Sequence, residues 1–234
     1  MPESAKGGLV HSLRAPGPAW GYVAPFVGYV LVLGLQPFFP VDLRWNLVLR
    51  GFLCSALLLL YSRKVVGLRP SHIAASFLVG AVAFGLWIAP DLLWPGYRAH
   101  WLFANPIFTT SRGSLPLAIR TDPLFLFLRV ANSVLLVPIV EELFWRAWLM
   151  RRLISFDFQK VPLGTFRPAA FWGTAVLFAL EHGVYWDVGL AAGIIYNYWA
   201  VRTRSIADCI LAHAVTNALL AAYVITAGKW SYWL

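Results

Sequence analysis

Apolar runs of about helix length follow one another along this chain, and several carry ionisable or amide side chains in their middles. The runs lie near Trp20 to Phe39, Trp45 to Tyr61, Ile73 to Ile88, Leu124 to about Phe156, Ala169 to about Tyr185, Val188 to Val201 and Ile206 to Ala227. A hydrocarbon core leaves backbone polar groups no water to bond, so segments of this kind fold as transmembrane helices. The expected fold is therefore all-α: a polytopic membrane helical bundle of about seven transmembrane helices, with six to eight as the range. Hydrophobic residues are 60% of the 234 and charged residues only 12%, proportions no soluble domain of this size shows.

The interruptions in that pattern are informative. Glu141, Glu142 and Arg146 share the fourth run, His182 falls in the fifth, and His213 and Asn217 in the seventh. A charged side chain at bilayer centre costs roughly 2.5–3.5 kcal/mol on insertion scales, so these groups are expected to meet in one polar site. Glu142 and Arg146 are four apart with the acid first, the favourable order for a same-face ion pair. Glu141 is then turned about 100° from its neighbour, toward a different surface. His213 and Asn217 are also four apart and aim at one point, and Phe178 stands one turn before His182.

Depth links the fourth and fifth runs. If the fifth helix begins near Ala169, His182 lies about 20 Å along its axis at 1.5 Å per residue. The antiparallel fourth helix must continue about as far past Glu141, to near Ser155, and present Arg151 and Arg152 to headgroups. Pro138, one turn before the glutamates, is expected to kink this rod.

The formal charge of +9 raises nucleic acid as a partner, but the basic residues are scattered between apolar runs, as topology signals are, and no nucleic-acid partner is expected. With the N-terminus in the cytoplasm, the inside segments hold Lys6, Arg14, Arg63, Lys64, Arg69, Arg151, Arg152, Lys160, Arg167, Arg202 and Arg204. The outside segments hold Arg44, Arg98, Arg112, Arg120 and Lys229. This excess favours a cytoplasmic N-terminus and an outside C-terminus. The first run lacks a small-residue cleavage pattern and reads as a retained anchor. Pro90 to Pro123, rich in Trp and Pro, reads as an interfacial loop or short surface helix. Cys54 and Cys209 lie apart within apolar runs, as packing residues do. The chain reads as one domain over residues 1–234.

Glu141-Glu142-Leu-Phe-Trp-Arg146 has the form E-E-x-x-x-R, Phe178-Ala-Leu-Glu-His182 the form F-x-x-x-H, and His213-Ala-Val-Thr-Asn217 the form H-x-x-x-N. In this order, within hydrophobic helices, they resemble the CAAX protease and bacteriocin-processing family of intramembrane endopeptidases, the Abi group. The resemblance covers residues 124–222. Val137 to Arg146 also resembles a bacterial subgroup associated with exosortase systems, which sort surface proteins. The resemblance implies an enzyme of the bacterial inner (cell) membrane, in contact with membrane lipid, that hydrolyses a peptide bond of a membrane-associated, prenylated or sorted protein. It implies Glu141 as the base for a water, His182 as its partner, and His213 with Asn217 as an oxyanion hole. Glu142, Arg146 and Phe178 would support them, without a cofactor.

Other readings of the same residues are open. Glu141, His182 and His213 suffice as three ligands for a catalytic zinc with an open position. Buried Glu, His and Arg also build proton relays, so a proton-coupled transporter or a non-catalytic membrane scaffold is the alternative function. Each motif alone is also compatible with structural bonding, and Asn132, Asn197, Arg129 and Asp208 are expected to be structural. A serine enzyme fits less well, with Ser114 in a polar loop, and an aspartyl enzyme lacks a second embedded aspartate.

Overall fold

The computed structural model describes residues 17–38, 41–103 and 115–233, and its described residues are helical with no strand. Seven main helices form a bundle: α1 Trp20–Leu35, α2 Leu43–Ser62, α3 Ile73–Leu93, α4 Pro123–Arg152, α5 Pro168–Leu180, α6 Trp186–Thr203 and α7 Ile206–Ala227. Four of them, α2, α3, α4 and α7, are long and apolar enough to cross a membrane, and α1 and α5 are shorter apolar helices. The chain is an integral membrane protein by this composition. Lys6, Arg14, Phe39, Arg112 and Ser114 lie outside the described residues.

α4 is the axial rod, packed against α1, α2, α5 and α7, while α3 closes on α6 and α7. Its 30 residues end at Arg152, close to the end expected from the depth of His182. Two π-helical segments, Asn132–Leu136 and Leu143–Leu149, flank the α-helical turns Val137–Glu142 that carry both glutamates. Pro138 explains the first of them, because it has no N–H to give a carbonyl in the preceding turn. In the π register Val137 N–H bonds Asn132 O, which leaves Ser133 O facing the missing proline donor. Asn217 Nδ2 supplies that donor from α7 at 2.7 Å. The expected kink is thus a bulge closed by another helix.

The fifth run departs from expectation. α5 ends at Leu180, with Glu181 as its cap, so His182 lies beyond the helix in a turn rather than inside it. Gly183 takes φ +53°, which L side chains avoid, and this breaks the helix where the apolar pattern would have let it run. At 13 residues α5 measures about 20 Å, too short to cross a bilayer of about 30 Å. The early end of α5 places its turn at the cavity that Glu141 also lines.

The segment after α3 secures that turn. Arg98 Nη1 donates to Val184 O at 2.8 Å, pairs with Asp187 and Asp91, and lies over the Tyr185 ring at 4.7 Å. Around it, Tyr97–Ala99 and Leu117–Arg120 are short helical pieces and Trp94 and Trp101 are exposed, as befits an interfacial stretch. At the opposite end of the bundle the Asp208 carboxylate accepts from His72 N at 2.8 Å and from Ser76 Oγ at 3.4 Å, joining α7 to α3. Asn132 Nδ2 bonds Leu128 O at 2.8 Å and Leu47 O at 3.4 Å, joining α4 to α2. Both residues have the structural roles expected of them.

Gly183→Val forces a branched side chain into the left-handed region and should destabilise the protein by about 1–2 kcal/mol. Thermal unfolding of purified protein in detergent measures it; an unchanged Tm would show that the turn does not depend on this glycine.

Candidate active site

A cavity of about 660 Å³ opens among α1, α2, α4 and α7 and the α5–α6 turn, and Glu141, Phe178, His182, His213 and Asn217 all line it. The expected catalytic residues from three separate apolar runs therefore share one space. Glu142 and Arg146 do not line it; both are fully buried behind the wall. The cost of charges in apolar runs led to the expectation that both glutamates converge on one cavity; only Glu141 lines it, and the two are separated by the expected helical phase of adjacent residues.

Behind the wall, Glu142 Oε1 accepts from Arg146 Nη1 at 3.0 Å and from His213 Nδ1 at 2.9 Å. Arg146 is held further by Asn197 Oδ1 at 3.0 Å and Gly193 O at 3.4 Å, and its guanidinium lies over Phe178 at 4.4 Å. Asn197 itself donates to Phe171 O at 2.8 Å, so one asparagine orients the arginine and links α6 to α5. Four helices thus meet on one ion pair. Because a carboxylate only accepts, His213 Nδ1 carries a proton and Nε2 is left for the cavity side. The ring stacks on Tyr196 with centroids 4.9 Å apart, and Tyr196 is fixed in turn by Thr216 at 2.7 Å.

His182 has its orientation set differently. Its Nδ1 lies 2.7 Å from Phe178 O, a carbonyl that can only accept, so Nδ1 donates and Nε2 is a free lone pair in the neutral ring. Trp87 packs edge-on to this imidazole at 5.2 Å and Phe178 tilts against it at 4.6 Å. Gly189 permits the placement, since a Cβ there would stand 3.1 Å from the His182 ring. Phe178 therefore carries Arg146 on one side and His182 on the other.

Glu141 is 8% exposed and its Oε2 has no hydrogen-bond partner among the described residues. An unpaired carboxylate oxygen on a residue that lines a cavity is suited to binding water. Glu181, not singled out from the sequence, also lines the cavity, and its charge acts on Glu141. An acid in an apolar run is a signal that marks Glu181 too, although it stands at a variable position of F-x-x-x-H. At the mouth, Tyr232 donates to Asp91 at 2.8 Å, and burial with this bond pushes its hydroxyl well above the ordinary phenol range, so it stays a donor.

A zinc site made of Glu141, His182 and His213 requires three ligand atoms around one point. Among the described residues no group of three His, Cys, Asp or Glu side chains stands in such an arrangement.

Residues 123–219 match the family model described as type II CAAX prenyl endopeptidase Rce1-like. This stretch runs from the first residue of α4 to two residues past Asn217 and contains every motif residue above. No curated protein and no solved structure matches the chain.

Removing one partner of a buried ion pair strands the other, so Glu142→Gln should cost about 3 kcal/mol or more through Arg146 and His213. A thermal or denaturant unfolding series in detergent reads this loss; a variant as stable as the parent would mean the pair is not load-sharing.

Proposed function

Residues 123–219 carry the Rce1-like core, and on that premise we propose that the chain is an intramembrane endopeptidase that hydrolyses a peptide bond with water activated by Glu141. The observation that supports this most is the division of the adjacent glutamates: Glu141 lines the cavity, while Glu142 lies behind its wall, held by Arg146 and His213.

In this reading a water sits between Glu141 and His182 Nε2. Glu141 takes a proton as the water oxygen adds to the scissile carbonyl, and the carbonyl π electrons move onto oxygen. His213 Nε2 and the second N–H of the Asn217 amide face the resulting oxyanion. His213 donates there when Nε2 as well as Nδ1 carries a proton. Collapse of the tetrahedral intermediate breaks the C–N bond as Glu141 returns its proton to the departing amine. The substrate is a membrane-associated protein, prenylated or sorted, and the resemblance of Val137 to Arg146 to the exosortase-associated subgroup favours a sorted surface protein. The distribution of Lys and Arg supports a cytoplasmic N-terminus and an outside C-terminus in a bacterial inner membrane.

Glu141→Gln keeps the shape and removes the base, so hydrolysis should fall by about 10²–10⁴-fold while the Tm is unchanged. Glu181→Gln should keep turnover within about tenfold of the parent, and the reverse ranking of these two variants would move the base to Glu181. Asn217→Ala should lower kcat about a hundredfold with little change in KM. It should also lower the Tm, because Ser133 O loses its donor. Peptide cleavage in detergent measures all three, and a chelator should leave it unaffected. Loss on chelation with recovery on added zinc would replace the glutamate mechanism with a metal one; proton-coupled uptake without cleavage would point to a transporter.

A further inference from the structure

The cavity does not stop at the glutamates. It continues between α1, α2 and the first turns of α4, where Phe26, Leu33, Leu47 and Phe125 form apolar walls and two arginines, Arg50 and Arg129, are the cations. Arg50 is 7% exposed and its Nε has no hydrogen-bond partner among the described residues. Its guanidinium rests 5.5 Å from the Tyr29 ring, and that of Arg129 5.6 Å from the Trp233 ring. Among the described residues no acidic side chain pairs with either. Arg129, expected to be structural, is instead part of the cavity wall.

Two guanidiniums in an apolar recess repel one another and have lost much of their hydration, a state relieved by an anion that accepts from both. Arg129, Ser133, Val137 and Glu141 all line the cavity at four-residue intervals on α4. Arg129 therefore leaves α4 at most about 18 Å before Glu141 along the helix axis, and Arg50 of α2 lines the same corridor. An extended peptide at about 3.3 Å per residue covers that distance in five or six residues.

We propose that Arg50 and Arg129 form a subsite for a carboxylate of the peptide substrate, either its C-terminus or an acidic side chain, five or six residues from the scissile bond. The inference rests on the endopeptidase reading for the identity of the ligand. The subsite makes the corridor a ruler: a carboxylate docked at the arginines sets which peptide bond reaches Glu141.

Binding tests the subsite apart from cleavage. Fluorescein-labelled peptides of one sequence, ending in a free acid or in an amide, are titrated against the full-length Glu141→Gln protein in detergent. The acid should bind at least about tenfold more tightly than the amide, and Arg50→Gln or Arg129→Gln should reduce the acid to the level of the amide without weakening the amide. Arg50→Lys and Arg129→Lys should keep part of the preference and show that the glutamine variants lose a charge, not the fold. An aspartate five or six residues beyond the cleavage site that restores binding of the amide would identify the side chain as the source, and failure of that aspartate would leave the C-terminus. Equal binding of acid and amide overturns the proposal, as does an arginine effect that falls on both peptides alike. So does a preference seen only when phosphatidylglycerol is added, which would make the anion a lipid phosphate. Parent protein that binds with this preference and cleaves neither peptide would sink the protease reading and leave the subsite standing.

Discussion

The structure depends on one buried carboxylate. Glu142 lies where neither water nor headgroup reaches it, and its Oε1 accepts from a guanidinium on its own helix and an imidazole on α7. A charge in such a place is stable only when paired and hydrogen-bonded, so the positions of Arg146 and His213 follow from it. Arg146 then recruits Asn197 and the Gly193 carbonyl from α6 and the Phe178 ring from α5. Because neighbouring residues of a helix point about 100° apart, fixing Glu142 inward fixes Glu141 outward into the cavity. The supporting pair does more than tie helices together: it aims the carboxylate proposed as the base.

A second constraint brings His182 to the same place. α5 is short, and its turn stops at the cavity, held by the Arg98 contacts to Val184 and Asp187. Polar backbone there is tolerable because the turn borders the cavity instead of lipid. The bond from Phe178 O fixes the tautomer of His182 one turn after the aromatic ring that also supports Arg146.

Much of this arrangement is legible in the sequence, for definite reasons. Spacings of four within one helix report a shared face whatever surrounds it, so the Glu142–Arg146 pair, the outward turn of Glu141 and the common aim of His213 and Asn217 follow from numbering. Depth arithmetic was enough to extend α4 to Arg152. The end of α5 was not legible, because hydropathy continues through Val184 and Tyr185 while the break comes from the backbone of Gly183. Glu181 was hidden inside a motif that treats its position as variable. The Arg50–Arg129 recess was hidden for another reason: it exists only because α1, α2 and α4 meet, and no spacing along one helix records which helix lies beside another.

The residues that looked most costly in a membrane can now be sorted by what relieves the cost. Glu142, Arg146 and His213 are relieved by each other, and Asp208 by the His72 and Ser76 donors of α3. Glu141, Glu181, His182, Arg50 and Arg129 are relieved by the cavity they line, where water or substrate solvates them. Asn217 belongs to both groups. Its amide closes the backbone gap left by Pro138 while the residue also lines the cavity, so the bulge that opens α4 and the donor proposed for an oxyanion are held by one side chain. Stability and chemistry are coupled there by construction: a substitution that frees the amide from Ser133 to bond substrate more freely would also release the helix that carries Glu141.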